Sequence, residues 1–298
     1  MNAAIDAAVA LLLISAAVGV IVTGGGAPAS ATDPGRADAV ADALAATTAT
    51  VNHSIAPGVA EPNRSTAGTG RGSGDGIPEL HRTTHGSLAG LLARAATASS
   101  GVARGTGPPE EPLTRTRVGF RRAVADAVRA RTGAFVRIDA VWQPYPDAPV
   151  VGRVGVGPDP PGDAVHAATL TIPTGVEPIP AAATVTFEAL GRAVAARTVE
   201  VLVPQGAAQV TLRGGGSEAA LVAHRYARLA AATNASVAAP LATEDTAAAN
   251  ARVAEALGAR MATDLRSRYD HPGQAVEAVS VSSVRIVVRT WGDPTEGA

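Results

Sequence analysis

The 298-residue chain carries 25 Lys+Arg against 26 Asp+Glu, and every basic residue is Arg; its net charge of −1 predicts no general attraction to nucleic acid or anionic lipid. Cys is absent, which excludes structural disulfides, thiolate metal sites and thiol catalysis. Hydrophobic residues make up 46% of the chain and aromatics only 3%, so a core must be built mainly from Val, Leu and Ala.

Ile5 to Val22, IDAAVALLLISAAVGVIV, is an apolar run at the N-terminus with ten Leu, Ile or Val residues. At roughly −0.3 to −0.6 kcal/mol each, these favour the bilayer by several kcal/mol. Residues 3–23 as a helix would span about 31 Å, close to the hydrocarbon thickness of about 30 Å. Asp6 would lie near an interface, where its carboxylate reaches water or a partner. The run has no polar face, unlike a core helix, and it predicts a transmembrane helix over 3–23. A competing reading is a signal peptide, because Ala29-Ser30-Ala31 fits the small-x-small cleavage pattern before Thr32. The run has no basic residues before it, which weighs against cleavage. The first basic side chain is Arg36, so flanking charge gives no orientation.

Residues 24–113 read as an Ala/Gly/Pro-rich linker with short helices. Within it, 34–48 has Val40 and Leu44 spaced by four, compatible with a short helix started by Asp33 and Pro34. The piece GTGRGSGDG is a flexible spacer by composition, and it lacks the Lys-Ser/Thr and the preceding strand of a phosphate loop. A helix over 87–99 places Leu88, Leu91 and Leu92 on one side, and GTGPPEEP then breaks the pattern.

An ectodomain is expected over 114–291, followed by a tail at 292–298. Its first helix, 114–132, turns Val118, Ala125 and Val128 one way and surrounds them with Arg117, Arg121, Arg122 and Arg129; Asp126 and the overall neutrality mark this as a solvated face. Period-two alternation predicts a strand over 134–142, with a short edge strand at 150–156 and further strands at 167–172, 198–203 and 208–213. Two helices follow, 217–233 capped by Ser217, and 244–269 with Val253, Leu257, Met261 and Leu265 at intervals of four. The last strand, 276–291, holds the strongest β run, VSVSSVRIVVRTW. Strands and helices come in blocks rather than βαβ units, so the fold class is α+β: a transmembrane helix, a low-complexity linker and a mixed ectodomain with a β-rich C-terminal strand.

Candidates for chemistry are few. His81 and His85, in HRTTH, have a spacing that on a helix places two imidazoles on one metal, but the Glu of HExxH is missing, and the segment reads as an exposed polar turn. His224 is expected on a helix surface. The pairs Glu110-Glu111 and Glu244-Asp245 fall in a loop and at a helix start. No G-x-S-x-G elbow occurs. The expectation is a protein without enzymatic activity, cofactor, metal or nucleic-acid partner. Asn52, Asn63 and Asn234 each open an N-x-Ser sequon, making them candidate N-glycosylation sites and pointing to an exterior location.

The N-terminal AIDAAVALLLISAAVGVIV and the C-terminal VRIVVRTW, with the Lys-free and Cys-free composition, resemble a haloarchaeal domain-of-unknown-function family (7284-type). Its members are single-pass membrane proteins associated with type IV pilus-like or secretion gene sets. The resemblance implies a membrane anchor in lipid at 3–23 and membrane or pilus-like protein partners. It also implies a role for Asp6: pilins carry an acidic residue near the start of the mature chain that pairs with a neighbouring subunit's N-terminal ammonium, and removal of Met1 brings Asp6 to that place. Such a pair neutralises two charges that are costly in an apolar bundle. The expected function is thus a non-enzymatic surface protein whose ectodomain makes protein contacts, with a secreted adhesive or ligand-binding domain cleaved after Ala31 as the alternative.

Overall fold

The structure, a computed structural model, describes residues 35–55, 81–102, 111–113, 117–162, 165–180 and 185–292. The expected transmembrane helix, the cleavage pattern at 29–31, Asp6 and Asn63 lie outside these residues. Among the described residues no helix is long and apolar enough to cross a membrane.

In chain order the elements are α1 (Arg36–Ala46), β1 (Thr48–Ser54), β2 (His81–Ser87), α2 (Leu88–Ala98), β3 (Gly101–Val102), β4 (Glu111–Pro112) and α3 (Arg117–Arg129). Then come β5 (Val136–Trp142), β6 (Val150–Val156), β7 (His166–Pro173), α4 (Phe187–Leu202), α5 (Gln205–Gly214) and α6 (Gly216–Thr233). The chain closes with α7 (Ala238–Ala242), α8 (Thr246–Arg268), α9 (Pro272–Glu277) and β8 (Ser283–Thr290). Mixed α and β elements with two antiparallel sheets make this an α+β fold, one sheet being the pair β1-β2 and the other a six-stranded sheet ordered β4-β3-β6-β5-β8-β7.

Period-two alternation in the three central strands sorts their side chains onto two faces. Val136, Ile138, Ala140 and Trp142 of β5 lie beside Val154 and Val156 of β6 and Val284, Ile286 and Val288 of β8, and all are buried. Helices α1, α2 and α3 cover this face, α1 over β7 and β8, α2 over β5, β6 and β8. α2 is the centre of the core: Leu88, Leu91, Leu92, Ala89, Ala95 and Ala96 are all buried. Its start is fixed by Ser87, whose Oγ accepts from the Gly90 N–H at 3.1 Å. The β1-β2 ribbon lies against α3 and α2. Gly152 of β6 allows the closest approach, since a Cβ there would stand 2.1 Å from the Ala96 carbonyl oxygen.

The long helices α4 and α8 form the second packing unit. Val253, Leu257, Met261 and Leu265 of α8, the expected stripe, are all buried. They meet Leu190, Val194, Val199 and Leu202 of α4, and the crossing is close because Gly191 faces the Gly258 carbonyl and the Ala262 amide, each 2.7 Å from where a Cβ would sit. Thr186 caps α4 by accepting from Ala189 N–H at 3.1 Å, and Asp245 caps α8 by accepting from Ala248 N–H at 2.9 Å.

Several expectations are corrected. Residues 198–202 and 208–213 are helical, in α4 and α5, and Val203 is the residue that ends α4. TVEVLV alternates like a strand, yet Leu190, Val194, Thr198 and Leu202 are buried at intervals of four, and packing on α8 outweighs the β propensity of its Val residues. The strand expected over 276–291 begins only at Ser283, because Pro272 starts α9 in its place. β6, expected at an edge, lies between β3 and β5. On α3 the buried side chains are Phe120, Val124 and Val128, whereas Val118 is 45% exposed. Ser217 caps nothing, since α6 begins at Gly216 without a side-chain cap. Residues 36–54 and 81–102, within the expected linker, contribute Leu44, Val51, Leu91 and Leu92 to the same core as the ectodomain strands.

Candidate functional site

Two clefts and one open sheet face gather polar side chains. A cleft of about 430 Å³ runs between α4, α8 and the loop after β7, with Glu177, Arg197, Glu200, Gln205 and Asn250 in its wall. Behind it, the Tyr226 hydroxyl donates to Asn250 Oδ1 at 2.7 Å and Asn250 Nδ2 donates to the Val203 carbonyl at 3.1 Å. Burial, reinforced by the Glu200 carboxylate, pushes the Tyr226 hydroxyl up to about 12, so it stays protonated and serves as a donor. At the rim Arg197 pairs with Glu177 at 3.4 Å. The cleft offers two carboxylates and one guanidinium above an alanine floor.

The second cleft, about 380 Å³, is framed by the β1-β2 ribbon, α5 and α6 and lined by His53, Arg82, Val203, Glu218, Leu221 and Val222. Arg82 Nε donates to Glu218 Oε1 at 2.9 Å, tying the ribbon to α6. The His53 ring leans on Phe120 with centroids 4.9 Å apart. This cleft is more apolar than the first, and beside it Val210 of α5 stands 73% exposed.

The open face is the reverse of the six-stranded sheet. Register places Arg137 of β5 opposite Arg289 of β8, Asp139 between Val287 of β8 and Gly155 of β6, and Val141 between Arg285 of β8 and Arg153 of β6. Ala167, Thr169 and Thr171 of β7 continue these rows and are exposed. Asp139 holds two guanidiniums: Arg137 Nε donates to its Oδ1 at 2.9 Å and Arg289 Nη1 to its Oδ2 at 2.7 Å. Arg137 also donates to the Gly157 carbonyl at 2.9 Å and pairs with Asp159 at 3.1 Å, lying across Gly155, where a side chain would collide with it. Arg153 and Arg285 are exposed and make no ion pair among the described residues.

The residues singled out from sequence do not converge. His81 and His85 sit on strand β2 rather than in a turn, about 13 Å apart by strand rise, too far to share a metal ion. His85 Nδ1 is hydrogen-bonded instead to the Thr50 hydroxyl, at 3.0 Å. Among the described residues no group of three or more His, Asp or Glu is placed to hold a metal. His224 is exposed on α6. Asn52 is exposed on β1, its Oδ1 accepting from the Thr83 hydroxyl at 2.8 Å. Asn234 is exposed and ends α6 in a left-handed conformation, φ 61°. Of the acidic pairs, Asp245 caps α8 and Glu111 lies in β4. Sequence reasoning missed the arginine face, although the alternation Arg137-Asp139 and Arg285-Arg289 was its visible signal.

The described elements define an α+β fold in which α1, α2 and α3 pack on one face of an antiparallel six-stranded sheet. A family model, described as a family of unknown function (DUF7284), matches residues 5–291, and the chain belongs to that family. The match takes in the apolar run as well as the folded domain. No curated protein and no solved structure matches the chain.

Proposed function

We propose that the protein is a single-pass, membrane-anchored surface protein whose α+β domain makes protein contacts within a pilus-like or secretion assembly, without catalysis. The apolar run at 5–22 carries this reading, because its ten Leu, Ile or Val residues suit a bilayer span. Its inclusion in the family match supports a role shared by related chains. The clefts support a contact role, since they set carboxylates against arginines instead of against a nucleophile, and the α5-α6 pair presents Val210, Leu221 and Val222 beside an open groove. Glycans at Asn52 and Asn234, both exposed, and at Asn63 fit an extracytoplasmic domain. Asp6 is the proposed contact to a neighbouring subunit: Asp6→Ala should leave membrane insertion intact and abolish co-assembly, and unchanged assembly removes that role.

The test is the intact mass of the protein recovered from whole cells of its native host. A mass beginning at Met1 or Asn2, with or without glycan increments, is expected for the anchor. A mass beginning at Thr32 overturns it in favour of a secreted adhesive or ligand-binding domain.

A further inference from the structure

We propose that the arginine-bearing face of the sheet docks on the anionic headgroups of the membrane that holds the chain; this rests on the anchored reading above. The net charge of −1 conceals an asymmetry, because strand alternation places Arg137, Arg153, Arg285 and Arg289 on one face, where among the described residues Asp139 and Asp159 offset them. Two rise steps separate each row from the next, so the four guanidiniums start from a patch about 13 Å long and two strand spacings, about 10 Å, wide. Asp139 fixes Arg137 and Arg289 in a bridged pair, while Arg153 and Arg285 lie exposed at the other end and make no ion pair among the described residues. Thr171, opposite Arg285, adds a hydroxyl that can donate to phosphate oxygens.

The length of chain before α1 allows this face to reach the bilayer. Arg36 Nη1 donates to the Trp291 carbonyl at 3.4 Å, so α1 begins at the end of the sheet where Arg137 pairs with Arg289. Twelve residues, 24–35, separate the apolar run from α1. Fully extended they reach about 40 Å, which keeps the domain within its own diameter of the headgroups. That reach lets the face come within a Debye length of the surface, about 8–10 Å, where each arginine is attracted to anionic headgroups. The composition of the face discriminates among anionic partners. Among the described residues its strands carry no aromatic ring, so bases of a nucleic acid would have nothing to stack on. Their apolar side chains on this face are Val141, Val287, Ala167, Pro173 and, buried toward β3, Val151, short of the aromatic anchors that carry protein interfaces. A planar array of phosphates needs neither.

Because the chain has no Cys, a single probe site is easily made. Thr169→Cys puts a fluorophore on the face and Ala231→Cys puts one on α6, both in the full chain reconstituted into phosphatidylcholine vesicles or into vesicles of equal parts phosphatidylcholine and phosphatidylglycerol, with a headgroup-attached quencher. Quenching at position 169 should be several-fold stronger in the anionic vesicles, disappear in molar salt, and be absent from the Arg153→Glu, Arg285→Glu double variant. Each charge removed should weaken docking about fivefold. Position 231 should not respond to lipid charge. Equal quenching in both vesicles, an equal response at position 231, or an unaltered double variant overturns the proposal. So does displacement of the face from anionic vesicles by polyglutamate or single-stranded DNA at charge parity, which reassigns it to that polymer. Flotation with the neutral vesicles reads the apolar run alone: a chain that floats there but shows no charge-dependent quenching keeps its anchor and loses the docking face. A chain that binds only anionic vesicles, and only with its arginines, keeps the face and loses the anchor.

Discussion

The two faces of the central sheet are made by the same strands, one residue out of step, and they solve opposite problems. On the covered face Ile138, Val288, Ile286 and Trp142 are removed from water, and even the indole N–H is satisfied, donating to the Val281 carbonyl at 3.0 Å. On the open face the neighbours of those residues are Arg137, Arg289 and Asp139, which pair laterally, and Arg285, which stands exposed. What separates them is coverage: α1, α2 and α3 all pack on one side. Stability should therefore depend on the even-numbered positions of β5, and recognition on the odd-numbered ones.

The sharpest way to break this comparison is to truncate one side chain on each face. Trp142→Ala removes a fully buried ring and the indole hydrogen bond to the Val281 carbonyl, which keeps the Thr174 hydroxyl at 3.3 Å, and should cost about 3–5 kcal/mol in urea unfolding. Arg153→Ala, one strand away on the open face, should stay within about 0.5 kcal/mol of the parent. Similar losses at both would mean that the open face is covered in solution.

Strand β6 supplies the next contrast in its own glycines. A methyl at Gly152 meets the Ala96 carbonyl of α2 at 2.1 Å, and backbone must move; Gly152→Ala should cost about 1–3 kcal/mol. A methyl at Gly155 meets the Arg137 guanidinium at 2.6 Å, the far end of a flexible side chain. Gly155→Ala should therefore cost well under about 1 kcal/mol while loosening Arg137 from Asp139, visible as a change in the arginine side-chain NMR resonances.

Alkaline titration probes the covered side at its margin. Tyr145, just beyond β5, is fully buried, and burial together with the facing Asp264 carboxylate raises its hydroxyl far above the ordinary tyrosine value; Tyr226 is held at about 12. Both pKa values are higher in the folded than in the unfolded chain, near 10. Their contribution is complete below pH 10 and is lost as pH rises above it, because only the unfolded chain then releases those protons. Stability should fall by up to about 1.4 kcal/mol per pH unit per tyrosine. Tyr145→Phe should remove about half of that slope.

The covered side was also the easier one to read in advance. α8 announced itself through Val253, Leu257, Met261 and Leu265, because a four-residue interval survives any tertiary context that buries one stripe. β5 was equally plain from its alternation. α2 was seen as a helix but assigned to a linker, because LAGLLARAATA looks like low complexity. Its alanines are there to let β6 approach, and that requirement becomes visible only when Gly152 and Ala96 are brought together. α4 was misread at TVEVLV, where propensity and period disagree and the partner helix decides. The open face lay in plain sight as Arg137, Arg285 and Arg289, yet strand order is a long-range property, and nothing local says that β5 and β8 are neighbours 150 residues apart.

The smallest expected stability effect isolates the function of that face. Among the described residues Asp139 is the only carboxylate bridging two of its arginines, with side-chain exposure of 27%. Asp139→Asn keeps the shape and removes one negative charge, so folding should weaken by no more than about 1 kcal/mol, the range of partly exposed ion pairs. The face, however, loses a negative charge at its centre and frees the Arg289 guanidinium for an external anion, Arg137 staying held by Asp159 and the Gly157 carbonyl. Affinity for anionic vesicles should therefore rise while stability falls. A purely structural role for the Arg137-Asp139-Arg289 bridge predicts the reverse for binding, because loosened side chains would order poorly against any partner. The sign of the change in vesicle partitioning, measured beside the urea midpoint of the same variant, separates a face built to bind from one that merely holds itself together.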